Sequence, residues 1–377
     1  MKNIISIFSA LLLMLLININ VFSQLNQIGN IMKAGTEESS VLLNSYLEPA
    51  GKAIIHDLAG GWYNKASTHK LLGFDLTLSF QFTQAPVEAM TFDLKNLGLK
   101  YITSVNTSNT VFPTVVNGDE TAANSFEIKR TFTEGSISQE VQILPATQLK
   151  GLNIPIGIPF PTLNLSIGLI KNTEIMVRYL PQINKNFEKL DVGLKAGFWG
   201  FGIKHDIKQW IPVVKRLPIL ELSFLGAYTK GNFNLSFPYT LPTVDNPNGY
   251  VNPDNQSVDM KINSYNFALL IGAEIPVVKK FVNPYLACGL SGGSMNFNML
   301  GEYALPKPYL DGTTIKTMLD KNDPNFTLTD PIKLKFNSTL PYLAGGIRLK
   351  LTIFTLHAQY TLQKHPVISM GFGISFR

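Results

Sequence analysis

From residue 74 to residue 83 apolar and polar side chains alternate without a break. Phe74, Leu76, Leu78, Phe80 and Phe82 fall on one side, and Asp75, Thr77, Ser79, Gln81 and Thr83 on the other. A period of two predicts a strand with one apolar and one polar face. The same period returns over 190–198, 220–228, 265–275 and 368–376, with shorter runs at 332–336, 346–351 and 354–362. Two architectures fit such a chain. In a sandwich the apolar faces meet a protein core, whereas in a membrane barrel they meet lipid and the polar faces line a lumen.

The connections separate these readings. Residues 231–261 and 301–330 are long and polar, whereas 276–281 is a short link. Counting strands onward places both long stretches on one face and the C-terminus on the other, as in outer-membrane barrels. Tyr179, Trp199, Trp210, Tyr228, Tyr265, Tyr342 and Tyr360 recur near strand ends, where interfacial girdles form. The last ladder ends on the aromatic Phe376, one place before Arg377, close to the signature that barrel-assembly machinery reads. These features predict an all-β fold over 72–377: an antiparallel transmembrane β-barrel of roughly 14 strands.

Residues 24–71 follow another rhythm. Val41, Leu42, Tyr46 and Leu47 lie at helical spacing behind Glu37 and Glu38, and Pro49 breaks the run before a second short helix over 50–58. Two short helices ahead of the first strand form either a cap on the sheet or a hatch inside the barrel. Residues 1–23 carry Lys2, an apolar run over 4–16 and the small Ser23, the anatomy of a cleaved secretory signal. Export to the cell outer membrane is the expectation. Charged residues make up only 15% of the chain, with 29 Gly and a single cysteine, Cys288, so neither disulfides nor a highly charged soluble surface hold the fold. The net charge of +6 forms no basic block, which gives nucleic-acid binding no support.

Candidate chemistry is sparse. Asp75, Arg178, Lys195, Glu221, Glu274, Lys333, Lys335, Arg348 and Lys350 lie at polar positions of strands and are candidate lumen-facing charges. They would pair with one another or favour anionic groups. Gly289–Leu290–Ser291–Gly292–Gly293 fits G-x-S-x-G but continues as strand, without the turn and helix that a nucleophile elbow needs. The five histidines show no metal-ligand spacing. No catalytic, cofactor or metal site is expected, and no enzymatic activity. In 204–218, Ile207, Trp210, Ile211 and Val214 lie at helical spacing among Lys204, Lys208, Lys215 and Arg216, which fits a short interfacial helix or an ordinary turn.

The stretches "GWYNKASTHKLLGFDLTLSF" (61–80) and "GFGIKHDIKQWIP" (200–212) resemble an uncharacterised family of exported barrels from Bacteroidota. More loosely, helices containing "EPAG" ahead of a barrel are similar to the FadL-type outer-membrane transporters of fatty acids and hydrocarbons. That resemblance implies passive uptake of a small hydrophobic or amphipathic molecule, with outer-membrane lipid as surroundings. A non-transport barrel working through its long external loops is the alternative, and a soluble periplasmic β protein the third.

Overall fold

A computed structural model describes residues 28–152, 157–187, 192–237, 239–241, 250–252, 256–273, 281–319 and 323–376. The expected signal segment lies outside them. The alternating runs form a closed antiparallel barrel. Its strands are β1 (Phe74–Thr83), β2 (Ile158–Gly168), β3 (Thr173–Phe187), β4 (Val192–Asp206), β5 (Leu220–Ser236), β6 (Ser257–Ala273), β7 (Val282–Leu300), β8 (Ile332–Leu351), β9 (Phe354–Leu362) and β10 (Val367–Phe376). Each pairs with the next, and β10 returns to β1 from Phe74↔Phe376 to Thr83↔Val367.

The barrel thus has ten strands among the described residues, not about 14. The difference lies in 84–157, whose strands pair with each other instead of joining the wall. Ile102–Ser104, Asn124–Glu134 and Ile137–Leu149 form one sheet, and Thr91–Asp93 pairs with Val111–Pro113. Alternation reports a strand's faces but not its partner. This insertion and the connections after β5 and β7 share one end, called upper here. The C-terminal end of β10 and the tight β8–β9 turn lie at the lower end, which is the separation that the loop lengths predict.

The wall is uneven in height. β1, β9 and β10 have 10, 9 and 10 residues, the length a tilted strand needs to cross a bilayer. β7 and β8 have 19 and 20 and stand well above them. Along these tall strands the faces exchange character. Lower down, Leu286 and Leu290 point outward and are exposed, while Arg348 and Ser291 point inward. Higher up, Met295, Phe297, Leu334 and Phe336 turn inward and are buried, while Asn296, Lys333 and Lys335 face out.

The inward apolar surface meets a helix. α1 (Thr36–Ala59) is one continuous helix of 24 residues, not the two short ones that Pro49 suggests. Leu42, Leu43, Tyr46 and Leu47 before the proline, and Ala53, Ile55 and Leu58 after it, are all buried. Burial on both sides of the proline outweighs the hydrogen bond it removes. α1 touches β1, β2, β5, β6, β7 and β8, so it lies within the ring of strands. Gly51 permits the closest approach, since a Cβ there would stand 2.5 Å from the Phe336 ring.

Candidate functional site

The C-terminal end of α1 leaves carbonyls without helical partners, and a cation is the natural group to meet them. Arg178 on β3 does so. Its Nη1 donates to Leu58 O at 2.8 Å and its Nη2 to Gly60 O at 2.7 Å. Nε donates to Asn164 Oδ1 at 2.7 Å, and the guanidinium lies 4.2 Å from the centre of the Trp62 ring. Trp62 finds room because β4 presents glycine inward. A Cβ at Gly200 would stand 2.9 Å from the indole and one at Gly202 3.2 Å from it. Asn266 Nδ2 adds a bond to Ala59 O at 2.9 Å, and Thr229 Oγ1 one to Leu58 O at 3.2 Å.

Below α1, residues 60–73 descend through a layer of buried charge. Glu174 accepts from Lys204 Nζ at 3.1 Å and from both His69 Nδ1 (2.8 Å) and the His69 backbone N–H (2.9 Å). Asp75 accepts from Arg348 Nη2 at 2.7 Å and from the Thr77 hydroxyl. Each carboxylate is paired and hydrogen-bonded, the condition under which a buried ion is tolerated. Lys65 is different: it is buried with no hydrogen-bond or ion-pair partner among the described residues, and burial brings its ammonium down to about 7. The cavity left between this layer, Trp62 and His357 has about 10 Å³, room for about one water.

At mid-height His56 of α1 meets Ser291 and Ser338. Gln363 Nε2 donates to His365 O at 2.8 Å, which leaves its Oε1 to accept from Ser291 Oγ at 3.0 Å. Ser291 Oγ therefore accepts from His56 Nδ1 (3.0 Å), and His56 Nε2 accepts from Ser338 Oγ (2.8 Å). That tautomer directs the imidazole's free lone pair away from Ser291, the reverse of nucleophile activation. The G-x-S-x-G stretch is a docking contact for the helix.

Above this level the interior beside β3, β4, β7 and β8 is apolar, with Gln81, Thr83, Thr162 and Asp57 keeping a polar strip beside β1, and the wall has a seam. Pairing of β2 with β3 runs from Gly168↔Glu174 up to Asn164↔Arg178 and stops. Beyond that point β2 stays paired with β1 as far as Ile158↔Thr83, and β3 with β4 as far as Phe187↔Val192. Pro159 and Pro161 on β2 and Pro181 on β3 have no N–H to offer a ladder, and β3 shifts register between Leu180 and Ile183. Phe160 backs the seam from inside, its ring centroid 5.8 Å from those of Phe198 and Phe233.

Of the charges selected from alternation, Arg178, Asp75 and Arg348 are buried at the heart of this arrangement. Glu221 faces inward near the lower rim, 3.9 Å from Lys208, and Lys350 is half-buried just below Arg348. Lys333 and Lys335 are exposed on the outer face because the upper part of β8 places its apolar side inward against α1, and Lys195 is exposed there because Leu194 and Ala196 turn inward to pack with Phe233 and Leu235. Glu274 lies outside the described residues. Lys65, His69 and Trp62 escaped selection because 60–73 is irregular and no period marks a face there. Lys204 lies within β4 as the inward neighbour of Ile203, not in the turn that follows.

Among solved structures, the chain is similar to Ail, the attachment invasion locus protein of Yersinia pestis, at 8% identity over 81% of this chain and 100% of that one, with a TM-score of 0.23. It is similar to the outer membrane protease OmpT from Escherichia coli at 9% identity over 84% and 98%, TM-score 0.26. The translocator domain of the autotransporter NalP from Neisseria meningitidis matches at 10% identity over 81% and 88%, TM-score 0.27. Likeness at this level carries no activity across. Comparison with curated proteins gives no match. The family comparison reaches nearly the whole chain: over residues 1–376 it matches the model of DUF6588, a family of unknown function, and the chain belongs to that family.

Proposed function

We propose that the protein is an exported outer-membrane barrel that passes a small hydrophobic or amphipathic solute sideways through its wall. α1 and the segment after it act as a plug. The solute enters the apolar upper interior, is stopped by the charged layer below, and leaves at the β2–β3 seam toward lipid. The observation that carries this reading is that seam. The ladder is absent above Asn164↔Arg178, at the height of β1, whose own length matches a bilayer. A side exit needs an apolar inner approach, and Phe160, Leu180, Ile183 and Phe198 supply one. Assembly through the C-terminal strand and a lipid surround follow from the same reading. Barrier and path are its only tasks, and no reaction is assigned.

Intact outer membranes exclude hydrophobic dyes, so uptake of N-phenylnaphthylamine by producing cells tests the proposal. Producing cells should take up the dye several times faster than non-producing ones, and Phe160→Ala should be faster still. Replacing Pro159, Pro161 and Pro181 together with valine restores ladder donors and should return uptake to background. Folded barrel with no uptake in either wild type or Phe160→Ala would overturn the proposal. It would leave the surface-interaction reading, which the upper connections favour where Ile315 N donates to Gln139 Oε1 at 2.8 Å.

A further inference from the structure

The outer wall has a hollow where a smooth lipid-facing surface would be expected. Gly226 on β5 points outward between Ile203 on β4 and Phe267 on β6, its partners in register. Phe224 borders the hollow toward the lower rim and Tyr228 on the upper side, leaving an apolar groove of about 520 Å³. That is the size range of a small-molecule site, and its lining is almost wholly hydrocarbon and aromatic. His205 lies at its lower end, and Trp210 Nε1 donates to His205 Nε2 at 2.9 Å. The groove therefore leads directly to the connection between β4 and β5.

That connection has a composition suited to a headgroup region. Trp210, Val213 and Leu217 are exposed in a stretch that also exposes Lys215 and Arg216. Neither cation has an ion-pair partner among the described residues, whereas Lys208 nearby stands 3.9 Å from Glu221. Interfacial segments that combine exposed tryptophan and aliphatic side chains with free basic groups rest at headgroup depth and attract anionic lipid. A second groove on the outer wall, about 350 Å³ around Ala358, provides the contrast. Its lower end meets the tight β8–β9 turn at 352–353, and Lys350 there is turned inward, so among the described residues no pair of exposed cations adjoins it.

We propose that the groove at Gly226, with Lys215 and Arg216 beneath it, is a binding site for one anionic phospholipid of the leaflet at the lower rim. An acyl chain fills the hollow, and the phosphate meets the two cations. This rests on the membrane reading given above but not on solute passage. It explains why a bulky aromatic wall is interrupted by glycine beside a lower connection that carries two adjacent basic residues without ion-pair partners among the described residues.

Native mass spectrometry of the detergent-solubilised full chain, offered palmitoyl-oleoyl phosphatidylglycerol and phosphatidylcholine, tests it. Wild type should retain one phosphatidylglycerol, favoured roughly tenfold or more over phosphatidylcholine. Lys215→Gln with Arg216→Gln, both on the surface, should remove the preference without affecting the fold. Gly226→Leu should lower retention of both lipids. A Cβ at 226 meets the Phe267 ring at 3.5 Å, an ordinary contact, so the wall accepts a side chain there. Ala358→Leu in the second groove should change nothing. Equal retention of the two lipids by wild type, or unchanged preference in the double glutamine variant, would overturn the site. Dye uptake by these variants should stay at the wild-type rate, so a failed solute pathway and a failed lipid site give different results.

Discussion

The lower and upper halves of β7 and β8 belong to the same strands, yet they present opposite faces. In the lower half Leu286 is 65% exposed on the outside while Arg348 is buried within. In the upper half Phe336 is buried within while Lys335 is exposed outside. A single period of two runs through both halves, so the exchange needs no bulge in β8, whose register with β7 is continuous from Ile332 to Leu349. What changes is the surroundings. Inside, the lower half meets a polar network and the upper half the apolar flank of α1; outside, on the reading proposed above, the lower half meets lipid and the upper half water. Alternation identifies which residues share a face, and the medium on each side decides which face is apolar.

Substitutions at matched positions of the two halves test this contrast. Phe336→Ala should be the most costly, about 3–5 kcal/mol, because it opens a cavity against α1 at Gly51. Chemical unfolding in detergent micelles would show it, and a loss below 1 kcal/mol would mean that α1 does not pack there. Leu286→Arg should destabilise the bilayer-embedded barrel by about 2–4 kcal/mol if that wall faces lipid. Refolding into vesicles reads that cost, and unimpaired refolding would place the lower wall in water.

Lys65 sharpens the comparison from inside. Its folded value of about 7 lies below the ordinary 10.5, so between those values the unfolded chain holds a proton that the folded chain has released. Stability contributed by this site therefore rises as pH increases from about 7 toward 10.5. Lys65→Met should stabilise the barrel by about 1 kcal/mol at neutral pH and flatten that rise. Unfolding midpoints measured across the range would check it, and an unchanged slope in the methionine variant would show that Lys65 is paired in solution. The smallest effect belongs to Lys335→Leu, within about 0.5 kcal/mol by urea unfolding, because Lys335 is exposed on the outer face.

Much of the wall was legible in the sequence, and the reasons for the remainder are physical. β1 reads correctly because both of its faces keep one environment along its whole length. Lys195, Lys333 and Lys335 mislead because they sit where the strands rise past the shorter β1, β9 and β10. The strand count fails over 84–157, since a strand that pairs within an insertion alternates like one that joins the wall. Pro49 marks a helix end by local rules, but α1 is buried on both sides of it. Of the site, Arg178, Asp75 and Arg348 stood out as charges on otherwise apolar strands. Lys65, His69 and Trp62 did not, for no period marks 60–73, and the groups that hold His69 and Trp62 in place, Glu174, Gly200 and Gly202, lie more than 100 residues away.

The way α1 is held at its N-terminal end also bears on how the molecule comes into being. Glu38 accepts backbone N–H bonds from Lys100 (2.6 Å) and Tyr101 (3.0 Å), and Tyr46 Oη donates to Lys150 O at 2.6 Å. The insertion thus grips the head of the helix, while Arg178 grips its tail. The ring shuts where β1 meets β10, and β10 is the last strand made. A helix clasped from above by residues that follow β1 cannot be threaded into a finished cylinder. The expectation is that it docks before or together with arrival of the final strand, so that the plug is seated as the ring shuts. Slowing the attachment of the insertion to α1 should then delay the barrel's last step more than its first.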